Sequence, residues 1–194
     1  MIDSKDRAGW FGASDTSYVV GNRETASFKK WWLIKMGLAR SDLSTKAMRV
    51  GNAYEHKVLD AIRVKERDKQ ILIPELKLRV NLDGNSDGRI FEVKTHQNEF
   101  KVTKQYWRQA QVEMFAWKHE YGEVPQLYIV AYRATEDEYR NYFKDIDECR
   151  LSFHKVEYDE TFIEKEYLPK LKYLRDCMEK GIMPKERVWS LQED

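Results

Sequence analysis

Apolar residues along this chain change period several times, and each change marks an element. Ser14 or Asp15 can cap a short first helix running through Tyr18 and Val19. From about Thr25 to Met36, Phe28, Trp31, Trp32 and Ile34 recur at helical spacing, with Gly37 placed to end the helix. Aromatics in such a stripe are expected in the core. The longest early helix spans about Thr45 to Val64, with Gly51, Glu55, Leu59 and Ile62 on one stripe. Glu55 thus shares a face with apolar groups, where a carboxylate is costly unless it pairs or binds a cation. His56 points elsewhere and reads as a surface residue.

The period then shortens. Ile71 to Val80 reads as a strand, with Leu76, Leu78 and Val80 alternating with Lys77 and Arg79. An acidic turn with Asp83-Gly84 and Asp87-Gly88 follows, then a short strand from Ile90 to Lys94, which makes a hairpin. Thr103 to His119 is helical, with Trp107, Gln111, Met114 and Lys118 on one stripe. Gln109 and Gln111 each need a partner if buried. Leu127 to Tyr132 is a continuous apolar run, expected as a central strand. Residues 134–148 are polar and acidic, a loop or short helix, and Leu151 to Tyr158 is a further strand. Asp159 caps a last helix to about Lys180, in which Pro169 predicts a kink or a later start. The order is helices, three strands, helix, strand, strand, helix. This is an α/β chain with a mixed sheet flanked by helices.

Composition narrows the function classes. A chain of 194 residues, 42% hydrophobic and 13% aromatic, is expected to form one domain with a real core. Its parts are residues 1–66, the N-terminal helices; 67–133, the central strands and helix; and 134–194, the C-terminal strand and helix. No apolar run approaches a membrane span and the start lacks a signal-peptide pattern. Cys149 and Cys177 have no metal-ligand spacing, which argues against zinc or iron–sulfur chemistry and for a reducing cytoplasm. No glycine-rich nucleotide-binding motif is present. The net charge of +1 carries no nucleic-acid signal, but its distribution is uneven. Residues 1–50 hold nine Lys and Arg against five Asp and Glu, whereas residues 134–166 hold five against eleven. Such a field can direct a polyanion toward the N-terminal half.

The candidate chemistry gathers at Asn81–Lys94. Side chains alternate on a strand, so Glu92 and Lys94 share one face while Phe91 and Val93 share the other. Asp83 and Glu92 offer hard oxygen ligands to a divalent metal, with Lys94 beside an attacking water. A hairpin whose Glu and Lys simply face solvent is the alternative from this stretch alone. Further upstream, the helix start at Ser14 gathers unpaired N–H groups, a potential anion site, and Arg7 is close enough in sequence to fold onto the same anion.

Together these residues resemble the PD-(D/E)XK nuclease superfamily, in which Asp83…Glu92-Val93-Lys94 would be the signature, with Leu82 where the name-giving proline would stand. The resemblance is closer to the phage lambda exonuclease and YqaJ-like viral recombinase family. Arg7 followed by Gly12-Ala13-Ser14, the Val50-Gly51-Asn52-Ala53-Tyr54-Glu55 helix and the Tyr106-Trp107-Arg108-Gln109-Ala110-Gln111 helix match its motifs in order.

The resemblance implies a restriction-endonuclease-like core and a metal-dependent 5′→3′ exonuclease acting on linear double-stranded DNA in phage-type recombination. It implies Mg²⁺ or Mn²⁺ held by Asp83, Glu92 and the carbonyl of Val93, with Glu55 completing the acidic cluster. Lys94 would orient or deprotonate the water, and Gln109 with Tyr106 would support the site. Arg7 and Ser14 would hold the 5′-phosphate of the recessed strand, with Lys101 the nearest match to a second basic phosphate contact. It further implies double-stranded DNA ends as substrate, a ring-shaped homotrimer, a single-strand annealing protein as partner and the cytoplasm of a bacterial host. Two rival functions are a structure- or site-selective endonuclease on the same fold and a DNA-end-binding protein without turnover.

Overall fold

The computed structural model describes residues 8–40 and 45–186. Arg7, expected in the phosphate site, lies outside them. Five strands form one sheet in the order β1-β2-β3-β4-β5: β1 Glu66–Ile73, β2 Leu78–Ser86, β3 Arg89–His96, β4 Gln126–Arg133 and β5 Leu151–Val156. Neighbours run antiparallel except β3 and β4, which are parallel. A parallel pair needs a crossover, and helix α4, Lys104–Tyr121, supplies it. The mixed sheet flanked by helices is therefore the observed architecture.

Four earlier and later helices complete the frame. These are α1 Thr16–Val19, α2 Ala26–Lys35, α3 Lys46–Ala61 and α6 Leu168–Glu179, with a short α5 at Glu136–Arg140 in the acidic stretch. Threonines start three of the long helices: the hydroxyls of Thr25, Thr45 and Thr103 accept from the N–H groups of Phe28, Met48 and Tyr106. Gly37 follows α2 at φ 72°, as its expected capping role requires. Asp159 caps the C-terminal helix through the Phe162 N–H at 2.9 Å. A π-helical stretch, Phe162–Tyr167, leads without a break into α6, so Pro169 lies inside a continuous helix just after the stretch in which the hydrogen-bond ladder widens.

Three local expectations need correction. The strand expected over Ile71–Val80 is two strands. Pro74 opens a 3-10 turn over Pro74–Leu76, and Lys77 closes it in the left-handed region at φ 49°, so the chain reverses there. Asp83-Gly84 is not a turn but the interior of β2. The hairpin turn is Asp87-Gly88 alone, both at positive φ (51° and 72°), the requirement of a two-residue connection that matches strand twist. On α3 the buried stripe is Val50, Tyr54 and Val58 with Leu59, one position away from the stripe expected through Gly51 and Glu55.

The sheet separates two apolar clusters. Val50, Tyr54, Val58 and Leu59 of α3 pack with Val93 and Val130 on one side. Ile90, Leu127 and Ile129 pack with α4, α6 and the aromatics Phe28, Trp31 and Trp32 on the other. The α2 aromatics are thus core, as expected. At one end of the sheet a polar cluster ties three elements: Arg150 makes two 2.6 Å hydrogen bonds to buried Glu138, which also accepts from Tyr132 and Thr135. These bonds, Arg150 first, pull the Glu138 carboxyl down to about 2.

One irregularity positions the site. β2 pairs with β1 along its length, but its other edge is paired only at the two ends. Gly84–Ser86 pair with β3, and near its start β2 meets Phe11, which donates to the Lys77 carbonyl and accepts from the Arg79 N–H. Between these, residues 80–83 have no strand partner on that side, and the sheet forks.

Candidate active site

Asp83 stands where the fork opens. Its Oδ2 accepts the Val93 N–H at 2.8 Å, taking the place of a β2 backbone acceptor that the divergence of the strands removes. Val93 points into the α3 cluster, so Glu92 and Lys94 face the opposite side, toward α4. Glu92 is 3% exposed. Its Oε1 accepts from the Lys94 ammonium and from Gln109 Nε2, the latter at 2.6 Å, while its Oε2 is buried without a partner. Lys94 also lies over the Tyr106 ring, 5.1 Å from its centroid, and Tyr106 stacks on Phe100. The helix from Thr103 therefore supplies Tyr106 and Gln109 to the β3 pair from successive turns.

Gln109 has a second acceptor that the sequence reading passed over. Glu113, one helical turn on, is completely buried and accepts from Gln109 Nε2 at 2.8 Å. Its Oε2 has no partner. Gln111, by contrast, is a structural residue: its amide donates to the Glu157 carbonyl and accepts from the Asp159 N–H.

The acids share one field. Burial raises Asp83 well above the usual carboxylate range, and the charges of Glu92 and Glu55 raise it further against Lys94. Glu113 is likewise raised, by burial and then by Glu92. Glu55, half-buried at the margin of the α3 packing, is raised by burial, with Glu92 and Asp68 adding to it. Burial works against the Lys94 charge, but the fields of Glu92 and Asp83 outweigh it and hold its pKa above the ordinary lysine value. In this arrangement the Lys94 ammonium donates to Glu92 Oε1.

Glu55 thus joins Asp83 and Glu92 electrostatically but shares no hydrogen bond with them. Among the described residues no three Asp, Glu, His or Cys side chains form a ready-made metal-holding group. Here Glu92 Oε1 is committed to Lys94 and Gln109, and Asp83 Oδ2 to a backbone N–H. The donor set still suits a hard divalent cation. Raised, mutually repelling carboxylates lose energy to one another that a cation would relieve, and buried Glu92 Oε2 is an oxygen without a hydrogen bond. Magnesium takes few protein oxygens and keeps waters and substrate oxygens, so a sparse site is adequate.

A cavity of about 210 Å³ runs from these acids to the N-terminal segment. Asp83, Gln109 and Glu113 line it together with Gly12, Ala13 and Ser14, so Ser14 shares this space with Asp83, whereas Glu55, Glu92 and Lys94 are not among its walls. The helix start there is a weaker anion site than expected. It is a 3-10 turn, Ala13–Asp15, running into a four-residue helix. Asp15 already fills the anion position, accepting from the Gly12 N–H at 2.7 Å and Trp31 Nε1 at 2.8 Å and pairing with Lys35 at 2.5 Å. Tyr106 is beside Lys94 and not among the cavity walls, and Lys101 is exposed and not among them either.

The sequence profile of the YqaJ-like viral recombinase domain matches residues 4–131, from the N-terminal segment through most of β4. This chain belongs to that family. Its fold is similar to that of an alkaline exonuclease (LHK-Exo) from Laribacter hongkongensis, with 15% identity, 91% of each chain covered and a TM-score of 0.63. It is equally similar to that of a phage related exonuclease from Haemophilus somnus 129PT, with 14% identity, 89% of this chain and 96% of the other covered, and a TM-score of 0.63. No curated protein matches the sequence. The family's matched region contains every residue of the acid cluster and the whole cavity wall. No described helix is long and apolar enough to cross a membrane.

Proposed function

We propose that this chain is a metal-dependent 5′→3′ exonuclease that degrades linear double-stranded DNA in phage-type recombination. The observation that carries the reading is Glu92, buried against Lys94 and Gln109 next to Asp83, in a chain of the YqaJ-like family. The two structures of similar fold are both exonucleases, which supports the same direction.

Asp83, Glu92 and the Val93 carbonyl would hold Mg²⁺ or Mn²⁺, with Glu55 adding negative potential. Such an ion lowers the pKa of bound water and offsets charge growing on phosphate oxygens. Lys94 would orient or deprotonate the attacking water and offset charge on the phosphate in the transition state. Tyr106 holds the ammonium from the side, and Gln109 fixes the Glu92 carboxylate. Ser14, with Arg7, receives the 5′-phosphate, and Lys101 remains available to the outer backbone of the duplex. A homotrimer, a single-strand annealing partner and a bacterial host cytoplasm belong to the same reading, with the whole chain acting as one nuclease domain.

The test uses duplexes labelled at one end, with a 5′-phosphate or 5′-hydroxyl, beside closed circles, in Mg²⁺ or EDTA. Expected is Mg²⁺-dependent shortening of linear DNA from its 5′ ends, with circles spared. Lys94→Ala should lower the rate by about a hundredfold or more, the scale of removing a preorganised donor. Equal cutting of circles would reassign the chain as an endonuclease. End binding without cleavage at any divalent metal would make it an end-binding protein.

A further inference from the structure

We propose that Arg79 is a further side chain, in addition to Ser14 and Arg7, that reads the terminal phosphate of the DNA substrate. The inference rests on the nuclease reading above for the identity of the ligand, but not for its geometry. The cavity beyond Asp83 has two basic side chains among its described walls, Lys35 and Arg79. Lys35 is 6% exposed and fully engaged: its ammonium donates to the Trp10 carbonyl at 2.9 Å and pairs with Asp15. The N–H at the Gly12 turn is spent on Asp15 as well. The half-buried Arg79 makes no side-chain hydrogen bond or ion pair with any described residue. Arg79 lines the cavity and its guanidinium has no counter-ion among the described residues, so it is available to an incoming anion, and its planar fork suits two phosphate oxygens at once.

The backbone fixes where that guanidinium originates. The Arg79 N–H donates to the Phe11 carbonyl at 2.8 Å, which holds this point of β2 against the segment leading to Ser14. Arg79, Asn81 and Asp83 follow at every second residue of β2 and all line the cavity, so they share one side of the strand. Four residues at about 3.3 Å each separate the Arg79 and Asp83 backbones by roughly 13 Å. A single rigid strand then carries both an acid for the phosphate being cut and a cation for the phosphate at the chain end. Strand rise, rather than a mobile loop, sets the distance between them. Lys101, the nearest match to a second basic phosphate contact, is exposed and is not among the cavity walls.

The experiment measures end binding and needs no turnover. Fluorescence anisotropy of 5′-phosphorylated and 5′-hydroxyl duplexes, with Ca²⁺ replacing Mg²⁺, is compared for the wild type, Arg79→Gln and Arg79→Lys. The wild type should prefer the phosphorylated end by about tenfold to a hundredfold, the scale of a charge-assisted hydrogen bond. Arg79→Gln should lower that preference by about fivefold or more while leaving affinity for the hydroxyl end within about threefold, and Arg79→Lys should restore part of it. A wild type without preference, an Arg79→Gln that keeps it, or equal weakening for both ends would overturn the assignment. Loss of the nuclease reading would register separately, as no Mg²⁺-dependent cleavage of the same duplexes by the wild type. If Arg79→Gln does not give the wild-type circular dichroism spectrum, Arg79→Lys alone decides: full retention of wild-type preference with lysine's point charge would overturn the role of the fork.

Discussion

Gln109 donates one amide group to two buried carboxylates, Glu92 on the sheet and Glu113 one turn along its own helix. The second bond fixes which way the amide faces. An NH₂ held by Glu113 presents its other proton to Glu92, so Glu113 orients a residue that itself orients the central acid. It acts through Gln109, and its role is positioning.

Glu113→Ala should therefore lower turnover by about tenfold with little change in DNA affinity, and cost about 1–3 kcal/mol in urea unfolding from the polar group left without its partner. Glu113→Gln tests the electrostatic side. Burial raises the Glu113 pKa in the folded state, so between its unfolded and folded values the native protein holds the extra proton and stability falls as pH rises. The glutamine removes that slope. Its unfolding free energy should fall less than that of the wild type as pH rises from about 4 through the carboxylate range. Identical pH curves for the two proteins would refute the buried-acid account.

Gly84 sits beside Asp83 and faces Leu59 of α3 and Val64 just beyond it. A Cβ there would stand 2.8 Å from both Leu59 and Val64 side-chain carbons, too close for either to stay in place. Gly84→Ala should destabilise the protein by about 1–3 kcal/mol, read as a lower urea midpoint at unchanged m-value. Moving α3 outward also carries Glu55 away from Asp83 and Glu92, so cleavage should weaken beyond any loss of folded protein.

Arg150 and Glu138 hold the far end of the sheet. The Glu138 carboxyl is depressed to about 2, so its stabilising contribution is complete above the ordinary glutamate range and disappears as pH falls toward 2. Arg150→Ala leaves a buried carboxylate without its cation and should cost about 3 kcal/mol or more near neutral pH. The difference from the wild type should shrink in acid, as chemical denaturation at a series of pH values would record.

The acids and Lys94 were legible in the sequence because their chemistry and two-residue spacing survive any reasonable strand boundary. Thr103 and Asp159 were legible as helix starts for the same local reason. Pro74 was not given its weight: the alternation of Leu76, Leu78 and Val80 continues across the turn, although Leu76 belongs to a 3-10 segment and faces the core from there. Asp83-Gly84 carried turn residues, but the glycine serves the close approach of Leu59 and Val64 rather than a reversal. Glu113 escaped because a charged residue on a helix reads as solvent-facing. The usable signal was its position four residues after Gln109, between Val112 and Met114, in a helix packed between the sheet and the Ala13–Val19 segment. Arg79 alternates with apolar residues along its strand, and only the path of Phe11 alongside β2 turns its face into a wall.

The fork between β2 and β3 has a practical bearing on how the acid cluster is dissected. Asp83 substitutes for a rung of the ladder by accepting the Val93 N–H, so truncating it also strips an acceptor from the backbone of the strand that bears Glu92 and Lys94. An alanine at this position would confound a missing ligand with a loosened scaffold. Asparagine, which keeps a carbonyl for that amide while discarding the charge, is the replacement that separates the two.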